Sequence, residues 1–238
     1  MLNDIFHELV SDIDKVMDDY SGDEFLRTIG QRYGLSHVAY LGLNLPDKED
    51  DLFIQTTYSD KWCRRYITQN YVDIDPIAGV GLQGILPLDW GMVRDKNKRI
   101  KDFFGESREF GVGRQGLSVP IRGAYGETAL FSINSHVSDH EWQKLKKEFM
   151  SDFQLLAYHF HTRILEQVGD YSPVYPALTP REKECIKWAA DGKTAWETGM
   201  ILGIQETTVT FFIEKARVKL AAANKTQAVA KAIRMQLI

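Results

Sequence analysis

Cysteine is scarce in this chain: two residues, Cys63 and Cys185, in a sequence of 238. So few, so far apart, exclude a disulfide framework or a cysteine-based zinc site and leave packed or idle thiols. The six histidines all precede residue 162. None has metal-ligand spacing except His159 and His161, which fall on different faces of a helix, so solvated or packed imidazoles are expected. No apolar run approaches the ~18 residues of a membrane helix. The start, Met1-Leu2-Asn3-Asp4, has neither a basic region nor an apolar signal core. These absences lead us to expect a cytoplasmic protein with no membrane partner. Proline is sparse too, at seven residues, and two of them, Pro173 and Pro176, crowd one stretch that reads as a linker. No internal repeat, low-complexity segment, nucleophile–base pair or metal constellation is found, so no enzyme and no cofactor are expected.

What is present suits two packed domains. Hydrophobic residues make up 44 % and aromatics 11 %, ample for cores at this length. The expected division is a domain over 1–168, a linker over 169–177 and a domain over 178–238. An apolar stripe from Ile5 to Tyr20 marks a first helix near Asn3–Asp19, and Phe25, Leu26, Ile29 and Tyr33 mark a second. His37–Leu43 and Leu52–Thr57 read as strands around a polar loop, as do Gly116–Ile121 and Thr128–Ser135 around Gly123-Ala124-Tyr125-Gly126. Helical stretches separate the pairs. A long helix from Ser138, with Glu141 as capping partner, runs to about Glu166. Helices before, between and after the strands predict an α+β fold whose N-terminal domain is an α/β/α sandwich around an antiparallel sheet. Asp18-Asp19, at the end of an amphipathic helix, does not suit a phosphate-accepting receiver, whose carboxylates stand at the ends of parallel strands.

The last sixty residues predict an all-α domain of four helices. Thr179-Pro180 with Glu182 forms a capping-box start, and Asp191-Gly192 stops that helix. A helix over Ala195–Leu202, a corner at Gly203-Ile204-Gln205 and a third helix from Glu206 make a helix-turn-helix. Val209, Phe212, Ile213, Ala216 and Leu220 form the third helix's buried stripe, while Thr207, Thr210, Phe211 and Glu214 point away. A fourth helix over Thr226–Gln236 closes the core. Residues 178–238 hold 10 Lys or Arg against 6 Asp or Glu, a balance of +4, whereas the first 177 residues hold 19 against 27, a balance of −8. The basic end of an acidic chain is where DNA phosphates would be met.

Leu178-Thr179-Pro180-Arg181-Glu182-Lys183-Glu184-Cys185, with Gly192-Lys193-Thr194, Leu202-Gly203-Ile204, Thr208-Val209 and Gln227-Ala228, resembles the DNA-binding domain of LuxR-type regulators. Phe212 stands where many members have histidine. Gly199 stands where alanine is usual, at a helix cost of about 1 kcal/mol, which predicts a slightly weakened module. Thr207, Thr208, Thr210 and Glu214 are the expected base-side residues, with a solvated or intramolecular partner the other reading of Glu214, and Lys193, Lys215 and Lys219 are the expected phosphate contacts.

Between the strand pairs lie aromatics with polar tips: Tyr58, Trp62, Tyr66, Tyr71 and Trp90, with Asp75 among them. Core packing alone would also account for the rings, and Asp75 before Pro76 makes a natural N-cap. The steps from Tyr58 to Trp62, Tyr66, Asp75 and Trp90, with Gly116, resemble the LuxR-type signal-binding domain, so the resemblance covers nearly the whole chain. It implies a pocket for an N-acyl- or aryl-homoserine lactone. Trp62 would donate to the lactone carbonyl, Asp75 accept from the amide N–H, and Tyr58 and Ser132 donate to the acyl carbonyl. Tyr66 and Trp90 would pack on the ring and upper chain, and Ser118 would line the wall. The expected protein is a homodimeric regulator of promoter DNA. The other reading is a ligand-independent DNA binder whose N-terminal domain only dimerises or takes another small molecule.

Overall fold

Alternating apolar residues in short β-branched and aromatic runs form a sheet in the computed structural model, which describes residues 4–19, 22–45, 52–123, 126–168 and 177–238. Tyr20, most of the expected loop after Asn44, Ala124-Tyr125 and most of the expected linker lie outside them. Strands β1 (His37–Leu43), β2 (Leu52–Thr56), β3 (Leu88–Asp89), β4 (Gln115–Arg122) and β5 (Thr128–Ser135) pair antiparallel in the order β2-β1-β5-β4-β3. Four of these are the expected strands. The fifth, β3, is too short to show a period and exists because Leu88 and Asp89 pair with Ser118 and Leu117.

The two-residue period sends Val38, Tyr40, Leu117, Val119, Phe131 and Ile133 into one core with helices α1 (Asp4–Asp19), α2 (Gly22–Tyr33) and α6 (Asp139–Val168). Two polar pairs are satisfied there: Tyr33 Oη donates to Asp152 Oδ2 at 3.0 Å, and Tyr40 Oη lies 2.6 Å from His161 Nδ1. Helix α6 begins as expected, with Ser138 Oγ accepting from the Glu141 N–H and Glu141 Oε2 from the Ser138 N–H. The alternate residues of the sheet, Leu41 and Leu130 among them, meet a second cluster. It is built on α3 (Asp60–Thr68), α4 (Pro76–Gly81), α5 (Lys98–Glu109) and the 3-10 turns Tyr71–Asp73 and Trp90–Met92. Helices on both faces of an antiparallel sheet are the expected sandwich.

The contacts divide the chain into two compact units, the second built on α7 (Pro180–Ala190), α8 (Ala195–Leu202), α9 (Glu206–Lys219) and α10 (Lys225–Arg234). Both halves of the expected capping box on α7 are made, Glu182 N–H to Thr179 Oγ1 and Thr179 N–H to Glu182 Oε2. A second box, Thr194 with Glu197, starts α8. Val209, Ile213, Ala216 and Leu220 are buried in one core with Ile186, Ala228 and Ala232, while Phe212 is only partly buried against it.

The corner between α8 and α9 overturns one expectation. Gly203 ends α8 in the left-handed region at φ 67°, and the Ile204 N–H returns to the Gly199 carbonyl at 3.0 Å. A Cβ on Gly199 would stand 2.7 Å from the Ile204 carbonyl oxygen, a backbone atom. Glycine therefore permits the close turn, and its poor helix propensity is secondary. Gly199→Ala should lose about 1–3 kcal/mol by overpacking, against a propensity gain of about 1 kcal/mol. Urea denaturation checks the sign, and a more stable variant would show that the corner relaxes freely.

Candidate functional site

A cavity of about 420 Å³ opens between the second sheet face and α3, α4 and α5, within the usual range for small-molecule sites. Of the seven residues expected to meet a ligand, Tyr58, Trp62, Tyr66, Asp75, Trp90 and Ser132 line it. Their placement follows from local chemistry. Ser59 caps α3 by accepting from the Trp62 N–H, so Trp62 and Tyr66 fall one turn apart on the same face, their ring centroids 6.0 Å apart. Asp75 is indeed the N-cap of α4, its Oδ1 accepting from the Ile77 N–H at 2.8 Å with Pro76 in the first turn. Its other oxygen, Oδ2, accepts from Tyr66 Oη at 2.9 Å. Capping α4 thus occupies one oxygen of Asp75 and leaves the other for Tyr66 on the cavity wall.

Asp75 keeps some accessible surface because it faces the cavity, yet protein surrounds it. Burial raises its carboxyl above the ordinary carboxylate value, while the bonds from Ile77 and Tyr66 pull the other way. Burial first, and then the nearby Asp75 charge, push the Tyr58 and Tyr66 phenols well above their ordinary value, so both remain neutral donors. The Trp62 indole N–H finds no acceptor among the described residues.

Ser118 departs from the expected wall position: it lies outside the cavity lining. It accepts from Trp90 Nε1 at 2.9 Å and lies 2.7 Å from Ser132 Oγ, its cross-strand partner. Ser118 Oγ thus accepts from the indole and shares a hydrogen bond with Ser132 in which either hydroxyl can donate. Trp90 itself is admitted by Gly116, where a Cβ would come within 2.1 Å of the indole. Tyr71 packs its ring on Trp62 and Phe103, at centroid distances of 5.9 and 5.4 Å. It turns its hydroxyl outward to Glu106, which also accepts from Arg65 Nε at 2.6 Å.

On α9, Thr207, Thr210, Glu214 and Lys215 are exposed and Thr208 is half-buried. Thr210 Oγ1 donates to the Glu206 carbonyl, and Glu214 accepts from Arg217 Nε at 2.8 Å. Lys215 Nζ stands 5.5 Å from the centroid of the exposed Phe211 ring. Lys193 lies 3.9 Å from Glu197. Lys219 is differently engaged, donating to Glu182 Oε2 at 2.7 Å and to the Ala177 carbonyl at 3.1 Å. It ties α9 to the start of α7.

Residues 23–164 match the family model of the autoinducer binding domain, and residues 176–232 that of bacterial regulatory proteins of the luxR family. The chain belongs to the LuxR family. It is a LuxR-type quorum-sensing transcriptional regulator, and an autoinducer-binding domain implies a lactone-type ligand. The transcriptional activator protein RaiR of Rhizobium etli is 34% identical over 73% of this chain and 72% of its own length. The HTH-type quorum sensing-dependent transcriptional regulator RpaR of Rhodopseudomonas palustris is 32% identical over 84% and 82%. The crystal structure of Escherichia coli SdiA covers 98% of this chain and 97% of its own, with a TM-score of 0.63 at 22% identity, a likeness of fold.

In this LuxR-family regulator the apolar wall was harder to read than the polar groups. Ala39, Leu41, Ile77, Phe103, Val112 and Leu130 line the cavity and were not singled out as ligand residues. The strand period already sets Ala39, Leu41 and Leu130 on the face opposite Val38, Tyr40 and Phe131, a signal that could have found them. Cys63 lines the cavity too, its thiol pushed up by burial and then by the charge of Asp60.

Proposed function

We propose that this LuxR-family regulator takes an N-acyl- or aryl-homoserine lactone into the cavity and binds promoter DNA as a cytoplasmic homodimer, catalysing no reaction. The observation that carries the ligand reading is the convergence of Trp62, Asp75, Tyr58 and Ser132 on one cavity. Three donors and one acceptor match two carbonyls and one amide N–H. Trp62 serves the lactone carbonyl, Asp75 the amide, and Tyr58 with Ser132 the acyl carbonyl. Tyr66 and Trp90 pack on the ring and upper chain, and Ser118 acts through Ser132. The cytoplasmic reading is supported by the DNA-binding module and by the lack, among the described residues, of a helix long and apolar enough to cross a membrane.

At the DNA, Thr207, Thr208, Thr210 and Glu214 face base edges, and Lys193 and Lys215 face phosphates. Lys219 is proposed as a phosphate contact that also holds the helix to α7. A single recognition helix reads only a few base pairs, which favours a two-fold arrangement. Exposed Leu155 and Tyr158 on α6 and Ile233 on α10 support contacts between copies along those helices. A panel of N-acyl- and aryl-homoserine lactones, followed by melting temperature, operator binding and sedimentation together, tests the proposal. No lactone response, with operator binding intact, would favour the ligand-independent reading, and a monomer with signal and DNA present would remove the dimer. Glu214→Ala should alter base preference at one operator position. A uniform change across sequences would argue against direct readout by that carboxylate.

A further inference from the structure

Asn134 on β5 is fully buried and lies outside the cavity lining, yet it determines what Tyr58 offers a ligand. Its Oδ1 accepts from the Gly113 backbone N–H at 2.8 Å. An N–H can only donate, so this contact decides which end of the amide is oxygen and leaves Nδ2 facing Tyr58 Oη at 3.0 Å. Nδ2 has only protons to give. The Tyr58 oxygen must therefore accept from it, and the phenol proton is turned elsewhere. That proton finds no acceptor among the described residues, and Tyr58 lines the cavity. The clamp is built closely: a Cβ on Gly113 would stand 2.6 Å from the Ser135 nitrogen and 2.7 Å from Asn134 Oδ1.

We infer that Asn134 is a positioning residue for the signal, holding the Tyr58 hydroxyl as a donor toward the acyl carbonyl through a relay that begins at the Gly113 amide. The inference rests on the lactone reading above. Gly113 acting through Asn134 leaves the Tyr58 proton for the cavity. The relay also discriminates between ligands. A molecule that presents an N–H or O–H where the acyl carbonyl belongs would meet the Tyr58 donor and be disfavoured, because a buried donor without an acceptor is costly.

Asn134→Asp tests it in the full chain. The introduced carboxylate still accepts from Gly113, but its second oxygen takes the Tyr58 proton and turns the phenol's lone pairs on the ligand carbonyl. The tightest binder from the lactone panel is titrated into the unmodified chain, Tyr58→Phe, Asn134→Asp and the double variant, with the melting temperature of each empty protein recorded. The expected result is a loss of about tenfold in Tyr58→Phe and in Asn134→Asp, and a double variant within about twofold of Tyr58→Phe. Asn134→Ser, which removes the amide donor without adding charge, serves the same cycle if the aspartate variant melts early. In that background Tyr58→Phe should likewise cost less than in the unmodified chain. Losses that simply multiply in both backgrounds would overturn the relay, as would an unchanged affinity in Asn134→Asp. If no lactone binds the unmodified chain, the lactone reading fails first, and that result is distinct.

Discussion

At neutral pH, Asp75→Asn will bind lactone about tenfold or more weakly than the unmodified chain, and lactone will no longer raise its melting temperature by a comparable amount. The carboxylate is the acceptor we propose for the ligand's amide N–H, and a hydrogen bond to a charged group contributes about 1.5–3 kcal/mol. In the unmodified chain, lactone at a hundred times its dissociation constant adds about 2.7 kcal/mol of stability, so the lost response is easily measured. Asparagine is the informative replacement. Asp75 also caps α4 through the Ile77 N–H, a role asparagine keeps, whereas alanine would lose the cap too, at about 1 kcal/mol. An equal lactone-induced rise in Asp75→Asn and the unmodified chain would move the ligand away from this residue.

The raised carboxyl of Asp75 adds a pH signature with opposite signs for the empty and loaded protein. Its folded value lies above the unfolded ~3.9, so protonation favours the empty fold. That contribution is full below the unfolded value and is lost as pH rises through the folded one. Under the proposed contact, lactone binding needs the carboxylate and so should weaken as pH falls through the folded value. Asp75→Asn should remove both dependences at once.

Glu182→Ala should destabilise the C-terminal unit by about 2 kcal/mol. The side chain is nearly buried, accepts from the Thr179 N–H at 2.7 Å and meets Lys219 Nζ at 2.7 Å. Losing the capping box costs about 1 kcal/mol. Breaking the ion pair adds to that, but less than the 3–5 kcal/mol of a wholly buried pair, because Lys219 keeps the Ala177 carbonyl and part of its exposure. Burial alone would raise the Glu182 carboxyl, but the bonds from Lys219 and Thr179 outweigh it and the net shift is downward. Its stabilisation is therefore present above the unfolded value of about 4.3 and is lost as pH falls through the folded one. Faster amide exchange in α7 and α9 of the full-length variant, with weaker operator binding, is the expected readout. Unchanged exchange would show that the core alone seats the recognition helix.

Local chemistry determined much of this protein before folding is considered. Capping pairs such as Thr179–Glu182 and Ser138–Glu141, the buried stripe through Val209 and Ala216, and the alternation in β1 and β5 depend only on neighbours within a turn or along a strand. The same is true of Asp75 as a cap and of Trp62 and Tyr66 sharing a helix face. Tertiary structure alone decided that Gly199 stands against the Ile204 carbonyl, that Ser118 lies behind Ser132, that two residues make β3, and that Asn134 reaches Tyr58 from a strand 76 positions away. Each of these is a contact between segments whose separation carries no periodicity. Only the packed sheet brings their donors, acceptors and missing side chains within a few ångströms.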